Sequence, residues 1–259
     1  MDLGIAGKRA LVCASSRGLG RGCAEALAEA GCALVMNGRS VDVLRKTADE
    51  VGEVYGTDVT AVAADITKPE GREEVLSQAG EIDILVTNAA GPPPGNWIDW
   101  DRDDFISAFD ANMLTPIALM QALMPSMMER KWGRVVNITS EAVKSPRPRL
   151  GLSNSARTGL TGFVAGTARQ VAQDGVIINN LLPGLHATDR ASSLDAGMAK
   201  SEGIDVDEVT RRKQAAIPAR RYGSPEEFGR VCAFLCSTHA GYIVGQNILV
   251  DGGAANITF

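Results

Sequence analysis

The stretch Arg9-Ala10-Leu11-Val12-Cys13-Ala14-Ser15-Ser16-Arg17-Gly18-Leu19-Gly20 decides the fold. Its first half is an apolar run typical of a buried strand, and its second half is a turn of small residues. Residues 21–30 have helical composition and are followed by Gly31, a residue that commonly ends a helix. The stretch therefore predicts a strand, a tight turn and a helix.

A turn of this kind is a potential phosphate site. The first backbone N–H groups of a helix have no partners within it, and the helix dipole places partial positive charge there. Gly18 and Gly20 allow a pyrophosphate, or the neighbouring strand, to approach the backbone closely. A Gly-x-Gly pair alone also fits a tight turn without a ligand, so this interpretation needs support from elsewhere.

The end of the second predicted strand supplies that support. Residues 33–36 lead into Asn37-Gly38-Arg39-Ser40, and Arg39 lies 19 positions after Gly20. In a dinucleotide fold this place meets the adenosine ribose, where an acidic residue favours NAD and an arginine favours NADP. Arg39 and Arg17 are cations suited to a phosphate, so the sequence favours NADP(H) over NAD(H). The alternative is that Arg39 is an ordinary solvated arginine on the surface.

Length and composition indicate one globular domain. The 259 residues are 45% hydrophobic and 22% charged, and no Pro/Ser-rich or charged linker divides them. The net charge of −5 argues against nucleic acid or a membrane as partner, because both favour a basic surface. We see no signal-peptide pattern and no run long enough to span a bilayer, and therefore expect a cytoplasmic protein.

The cysteines and histidines show no metal-site spacing. The five cysteines are odd in number and have no Cys-x-x-Cys pattern, so we expect small core residues. The two histidines, His186 and His239, lie far apart in sequence, and we expect no metal.

Strand-like and helix-like segments alternate along the whole chain, which is typical of an α/β parallel sheet with helices on both faces. After the first strand, we predict strands over residues 33–36, 59–64, 82–86, 133–140, 176–182 and 247–250. Predicted helices cover residues 41–51, 101–112, 115–130 and 154–173, and a last helix starts at Ser224-Pro225. The domain prediction is a single unit, residues 1–259.

Several predicted strand ends carry further candidate residues. Asp65 can accept a hydrogen bond from an adenine amino group or cap the helix after Pro69, and both roles are open. The small residues after the fourth strand permit close approach of a ligand. The polar segment 188–218 is predicted to be a substrate lid, with a surface excursion of no role as the alternative.

Together these pieces resemble the short-chain dehydrogenase/reductase family, particularly the 3-oxoacyl-[acyl-carrier-protein] reductases, over essentially the whole chain. The matching pieces are Gly18-Leu19-Gly20, Asp65, Asp83-Ile84-Leu85-Val86-Thr87-Asn88-Ala89, Asn112, Gly133-Arg134-Val135-Val136-Asn137-Ile138-Thr139-Ser140, Pro183-Gly184, Thr188 and Val250-Asp251-Gly252-Gly253. The resemblance implies a Rossmann-like, doubly wound, seven-stranded parallel sheet and a nicotinamide cofactor. It also implies a small-molecule or acyl carbonyl or alcohol substrate, and a homotetramer or homodimer.

The predicted cofactor-binding residues lie at the ends of the strands. They are Ala14, Ser15, Ser16, Arg17, Gly18, Leu19, Gly20, Asn37, Gly38, Arg39, Ser40, Asp65, Ile66, Asn88, Ala89, Ala90, Arg157, Pro183, Gly184, Leu185 and Thr188.

The chain departs from this family at the catalytic motif. Where the family has Tyr-x-x-x-Lys, beginning 13 positions after Ser140, this chain has Ser153-Asn154-Ser155-Ala156-Arg157. None of the three tyrosines is followed by a lysine four positions later. The tyrosine is the family's general acid and base, whereas a serine hydroxyl is a weaker acid and an arginine stays protonated.

The remaining predicted catalytic residues stabilise charge. Ser140 and Ser153 can donate hydrogen bonds to a developing alkoxide, Arg157 can add positive charge, and Asn112 matches the family. His186 and, less favourably, Lys144 are candidate proton donors, with a solvated loop residue as the alternative for each. We expect an NADP(H)-dependent carbonyl reductase or alcohol dehydrogenase with a non-standard proton donor. The alternative is a catalytically impaired nucleotide-binding sensor or scaffold.

Overall fold

The computed structural model describes residues 2–258, so that Met1 and Phe259, the ends of the predicted domain, lie outside the described range. Within residues 2–258, seven parallel strands form one sheet in the order β3-β2-β1-β4-β5-β6-β7. This confirms the predicted α/β, Rossmann-like, doubly wound sheet. The strands are β1 (Arg9–Val12), β2 (Ala33–Gly38), β3 (Val59–Ala63), β4 (Ile84–Thr87), β5 (Gly133–Ile138), β6 (Val176–Pro183) and β7 (Asn247–Val250).

Helices cover both faces of the sheet. They are α1 (Gly18–Glu29), α2 (Val41–Tyr55), α3 (Pro69–Ala79), α4 (Arg102–Phe109), α5 (Thr115–Glu129), α6 (Gly151–Val171), α7 (Asp189–Glu202), α8 (Val206–Ala216) and α9 (Pro225–Cys236). A π-helical turn, Asp110–Leu114, joins α4 to α5 where one continuous helix was predicted over 101–112. None of the helices in residues 2–258 combines the length and apolar character that a membrane span requires.

The core consists of two apolar layers, one on each face of the sheet. Successive residues of β1 point to opposite layers, with Val12 in the layer beneath α1 and α9 and Leu11 in the other. Helices α1 and α9 cross closely at Gly22, where a Cβ would lie 2.2 Å from the carbonyl oxygen of Pro225. All five cysteines are buried, which confirms their predicted place in the core.

The order of the strands reverses between β1 and β4. Strand β1 pairs with β2 on one side and with β4 on the other, so the two halves of the sheet are wound in opposite directions from this point. In open α/β sheets, ligands bind in the crevice that forms outside the carboxyl ends of the strands at such a reversal. The turn after β1 therefore lies at the mouth of this crevice.

The segment predicted as a lid is more firmly packed than its polar composition indicated. Helices α7 and α8 share the buried carboxylate of Asp195, which pairs with Lys213 at 2.5 Å and accepts hydrogen bonds from the hydroxyls of Thr210 at 3.2 Å and Tyr222 at 2.9 Å. One buried acid thus ties both helices and the following loop together.

Candidate active site

One cavity of about 850 Å³ opens at the carboxyl ends of the strands. It is lined by every predicted site residue except Ser15, Gly20, Asn112 and Lys144. Residues that are more than 170 positions apart in the chain, such as Ala14 and Thr188, therefore face the same space. The structure brings the predicted cofactor residues and the predicted catalytic residues into one continuous site.

The turn after β1 is shaped by steric limits on its backbone. A Cβ at Gly20 would lie 2.3 Å from the carbonyl oxygen of Ala14, which is closer than real Cβ contacts. Gly18 and Ala14 both have positive φ, +57° and 47°, in the left-handed region that glycine favours. Ser15 is buried behind the turn, where its Oγ donates to the carbonyl of Val12 at 2.8 Å. Ser15 and Gly20 thus hold the turn from behind and do not line the cavity.

The start of α1 has no side-chain cap. Arg17 occupies the capping position and its side chain accepts no hydrogen bond from the first turn, whereas α9 begins with a full capping box formed by Ser224 and Glu227. The first backbone N–H groups of α1 consequently need an outside acceptor. A close-packed glycine turn with free N–H groups and a positive helix end fits the diphosphate of a dinucleotide.

The predicted adenosine pocket lies beside the end of β2. Asn37 is buried, and its Nδ2 donates to the carbonyls of Val62 at 3.1 Å and Ala64 at 3.0 Å, which ties the ends of β2 and β3 together. Arg39 is exposed at the edge of the cavity. Its guanidinium is therefore free to meet a ligand from the solvent side.

Asp65 stabilises a turn and does not cap a helix. Its Oδ1 accepts from the hydroxyl of Thr67 at 2.8 Å and from the backbone N–H of Thr67 at 3.1 Å. Helix α3 begins later and is preceded by Lys68, so the predicted capping role for Asp65 is wrong. Partial burial favours a raised pKa for Asp65, but the hydrogen bonds from Thr67 and the charge of Arg39 outweigh it and lower the pKa. The carboxylate is ionised at neutral pH.

Two serine hydroxyls face the opposite end of the cavity. The Oγ of Ser140 accepts from the backbone N–H of Ala142 at 3.1 Å, and the Oγ of Ser153 accepts from Nε of Arg157 at 3.2 Å. In both contacts the serine is the acceptor, so each hydroxyl hydrogen remains available to a ligand. Ser153 is 8% exposed and lies on the first turns of α6.

The guanidinium of Arg157 is held against the end of β5. Its Nη1 donates to the carbonyls of Ile138 at 3.0 Å and Thr139 at 2.7 Å. Burial lowers the pKa of Arg157 to about 10, and the nearby positive charge of Arg190 acts in the same direction. Arg157 is still cationic at neutral pH, and it supplies a fixed positive charge beside the two serines.

His186 lies in the cavity wall, not in solvent. It is 4% exposed, its Nδ1 contacts the carbonyl of Gly184 at 3.2 Å, and its ring meets Phe228 edge to face at 5.2 Å between centroids. A Cβ at Gly223 would lie 2.8 Å from Nε2, so the second ring nitrogen is packed as well. Burial lowers the pKa of His186, which keeps the ring neutral at pH 7. The solvated-loop alternative is wrong, and neither ring nitrogen is placed to deliver a proton to the cavity.

Asn112 and Lys144 do not face the cavity. Asn112 is buried in the π-helical turn, where its Nδ2 lies 3.5 Å from the carbonyl of Ala90 and 3.4 Å from that of Ala108. Its Oδ1 has no hydrogen-bond partner among the described residues. Lys144 follows the short helical turn Glu141–Val143 outside the cavity lining. Asn112 therefore lies behind the loop that follows β4.

The first turn of α7 contributes residues that the sequence did not single out. Arg190 donates to the carbonyls of Gly91 at 3.1 Å and Pro92 at 3.2 Å, and Asp189 pairs with Arg17 at 3.3 Å. Both residues line the cavity. The one signal that could have found them is their position, directly after Thr188 at the start of the polar segment.

Comparisons with known proteins cover this whole site. A protein-family model described as enoyl-(acyl carrier protein) reductase matches residues 13–255. The chain is 32% identical over 259 residues to 3-oxoacyl-[acyl-carrier-protein] reductase FabG of Aquifex aeolicus (strain VF5), covering 98% of this chain and 99% of that protein. It is 34% identical over 253 residues to dehydrogenase/reductase SDR family member 4 of Bos taurus, covering 95% of this chain and 87% of that protein.

A solved structure has the same backbone fold. L-sorbose reductase of Gluconobacter frateurii, in complex with NADPH and L-sorbose, matches with a TM-score of 0.94 and 30% sequence identity, and the match covers 100% of both chains. The similarity therefore includes the glycine turn, the ends of the strands and α6.

Proposed function

Because the chain belongs to the short-chain dehydrogenase/reductase family, we propose that it is an NADP(H)-dependent oxidoreductase that interconverts a carbonyl and an alcohol. The observation that carries this proposal is the single cavity that joins the uncapped start of α1 to Ser140, Ser153 and Arg157. In a site of this shape, one end holds the dinucleotide and the other end holds the substrate.

The cofactor end would use backbone groups and two exposed cations. The diphosphate would lie against the free N–H groups of the turn that ends at Gly20, and Asp65 would meet the adenine. Arg17 and Arg39 would contact the 2′-phosphate of NADP, since a guanidinium matches phosphate geometry. NADPH is the cofactor in the complex of the sorbose reductase, which supports this preference. When bound, a reduced nicotinamide supplies the hydride equivalent for carbonyl reduction.

The substrate end would stabilise the negative charge that develops on the carbonyl oxygen. Ser140 and Ser153 each have a hydroxyl hydrogen to donate, and the cationic Arg157 lies next to Ser153 at 3.2 Å. Fixed donors and charges in a buried site stabilise an oxyanion more strongly than water does, because they need no reorganisation. This part of the site therefore favours reduction of a carbonyl held between the two serines.

The proton would come from water through a serine hydroxyl. Among the described residues that line the cavity there is no tyrosine or lysine, and the ring nitrogens of His186 are directed to the protein. Loss of a positioned general acid typically costs about 10²- to 10⁴-fold in rate. We therefore expect turnover that is slow for this family.

The lack of a tyrosine or lysine among the described residues that line the cavity favours a second candidate function. A protein that binds NADP(H) without turnover, as a sensor or a scaffold, needs the cofactor end and no proton donor. Both candidates require the glycine turn and Arg39. They differ only in what happens beside Ser153 and Arg157.

A turnover assay separates the two candidates. Oxidation of NADPH is followed at saturating cofactor against a panel of small ketones, aldehydes and 3-oxoacyl thioesters. The reductase hypothesis predicts oxidation above the buffer rate that is lost in Arg157→Met, which removes the positive charge. NADPH binding with no oxidation by any member of the panel would favour the sensor or scaffold.

A further inference from the structure

Two guanidinium groups from different parts of the fold converge on one glycine. Nη2 of Arg157 lies 3.4 Å from the place that a Cβ would take at Gly91, and Nη2 of Arg190 lies 3.3 Å from the same place. Arg157 comes from α6 and Arg190 from the first turn of α7. The two cations are thus near neighbours at the substrate end of the cavity.

Backbone carbonyls hold both arginine side chains in place, and each guanidinium group has an N–H donor that is not used in these contacts. Arg157 uses Nη1 on Ile138 and Thr139 and Nε on Ser153, while Nη2 makes no hydrogen bond to any of residues 2–258. Arg190 uses Nη1 and Nη2 on the loop after β4, and its Nε donates to none of the described residues. Arg157 is only 8% exposed, so its free donor is a buried group facing the cavity.

No carboxylate balances this pair of charges. Within residues 2–258, neither Arg157 nor Arg190 has an acidic partner within 4.0 Å, although 16 ion pairs of other residues meet that distance. Of the acids that line the cavity, Asp189 pairs with Arg17, and Asp65 lies at the adenosine end beside Thr67. Glu141, behind the wall, pairs with Arg147.

Such an arrangement is costly for the folded protein. Arg157 is a buried cation that is hydrogen-bonded but has no acidic partner, which is destabilising, and the like charge of Arg190, an exposed residue, repels it. Burial and the charge of Arg190 both lower the pKa of Arg157, which is the expected sign of this repulsion. An anion placed against the pair would remove both penalties, and a carboxylate suits the fork geometry of a guanidinium.

We propose that the substrate carries a carboxylate, which binds against Arg157 and Arg190 while its carbonyl group faces Ser140 and Ser153. The substrate class is therefore a small oxo acid, or the corresponding hydroxy acid. This inference rests on the proposed function for the reaction, although the binding of a carboxylate is measurable without turnover. Leu150 and Leu194 also line the cavity, and their side chains offer apolar surface to the remaining carbon chain.

The test compares an acid with its neutral ester. The substrates are 4-oxopentanoate and methyl 4-oxopentanoate, and the measured quantity is the ratio of their kcat/KM values with NADPH. A hydrogen bond to a charged group contributes about 1.5–3 kcal/mol, so we expect the acid to be favoured by about tenfold or more. Arg190→Gln should reduce this ratio by about tenfold. Arg211→Gln, a matched change on the exposed face of α8, should leave it unchanged.

A binding measurement removes the dependence on turnover. Benzoate and benzamide are titrated by calorimetry into the protein, with and without NADP⁺. We expect tighter binding of benzoate, lost in Arg190→Gln and kept in Arg211→Gln. If neither ketone is reduced but this preference holds, the carboxylate site stands and the reductase proposal fails.

Two outcomes would overturn the carboxylate site. One is reduction of both ketones with no preference for the acid, which would leave the reductase proposal intact. The other is an Arg190→Gln protein that binds NADPH more weakly while the ratio of acid to ester, and of benzoate to benzamide, stays at the wild-type value. In that case the arginine pair serves the cofactor and not the substrate.

Discussion

The two ends of the cavity are built on different physical principles. At the cofactor end, the turn from Ser15 to Gly20 depends on where the backbone can go, since a Cβ at Gly20 would meet a carbonyl at 2.3 Å. At the substrate end, Arg157 and Arg190 depend on which side chains are present and on what charges surround them. From the sequence, we expect the first end to resemble the family pattern and the second end to depart from it at Ser153 and Arg157.

Binding and reactivity can therefore diverge separately on one fold. A backbone cradle tolerates few substitutions, because any side chain at its closest point forces the chain to move. A set of charged side chains can be exchanged while the backbone stays the same. Substitutions at the cofactor end should therefore change cofactor affinity, whereas substitutions at the substrate end should change the rate of turnover.

The largest expected effect is at the cofactor end. Gly20→Ala places a methyl group against the carbonyl of Ala14, so the turn must shift and its N–H groups lose their positions. Losing two hydrogen bonds to a charged diphosphate, at about 1.5–3 kcal/mol each, weakens NADPH binding by at least about 100-fold. Fluorescence titration of NADPH measures this loss.

The matched control is Gly197→Ala on α7. A Cβ at Gly197 meets nothing within 4 Å, and the residue is exposed on a helix. Its NADPH affinity should stay at the wild-type value. Equal affinities for Gly20→Ala and Gly197→Ala would show that the diphosphate is not bound at this turn.

The next effect is a gain of function at the substrate end. The double substitution Ser153→Tyr with Arg157→Lys restores a phenol and an ammonium group at the places where the family has them. A general acid contributes about 10²- to 10⁴-fold, so we expect kcat for a generic ketone to rise by about 100-fold, the low end of that range. NADPH oxidation under saturating cofactor measures the change.

The single substitution Arg157→Lys is the control for this gain, and on its own it should not raise kcat. A flat response of the double variant would mean that the shape of the substrate end, and not only its proton donor, has diverged. The two ends of the cavity would then differ in packing as well as in charge.

The five central strands were predictable because they are buried on both faces, whereas the edge strands β3 and β7 are only partly buried. Their apolar runs placed each strand within two residues of its observed bounds. The start of α9 was predictable as well, because a capping box leaves a signal in the sequence. Helices α1 and α6 begin three residues earlier than predicted, at Gly18 and Gly151, because neither has a side-chain cap. Both of these helix starts lie beside the cavity.

The site was predictable only where it depends on local sequence. Glycine spacing and Arg39 are visible along the chain, but the meeting of Arg157 with Arg190 is not, because it depends on how α7 docks on the loop after β4. The burial of His186 was missed for the same reason, since Phe228 and Gly223, which enclose its ring, lie more than 35 positions away in sequence. Long-range packing decides these contacts.

A smaller effect tests the choice of cofactor. Arg39→Asp replaces a cation near the ribose by an acid that can accept from a 2′-hydroxyl. Losing one hydrogen bond to a charged phosphate should weaken NADPH binding by about tenfold or more, and NADH binding by much less. Titration with both dinucleotides measures the difference.

Arg45→Asp on α2 is the matched control, because it makes the same change in charge at an exposed position outside the cavity lining. It should change the affinities for the two dinucleotides to a small and similar extent. An Arg39→Asp protein that loses NADPH and NADH affinity equally would mean that Arg39 does not contact the 2′-phosphate.

The smallest effect concerns strain in the turn itself. Ala14 has a φ of 47°, a left-handed conformation that costs an L-residue about 1–2 kcal/mol relative to glycine, while glycine loses about 0.5–1 kcal/mol through its extra freedom when unfolded. Ala14→Gly should therefore raise the free energy of unfolding by about 0.5–1 kcal/mol, measured by urea denaturation. Ala165→Gly, in the middle of α6, should lower it by about 1 kcal/mol, because the helix already suits alanine. If both substitutions lower the free energy of unfolding equally, the turn is not strained at Ala14. In that case Gly18 and Gly20 alone determine the shape of the cofactor end.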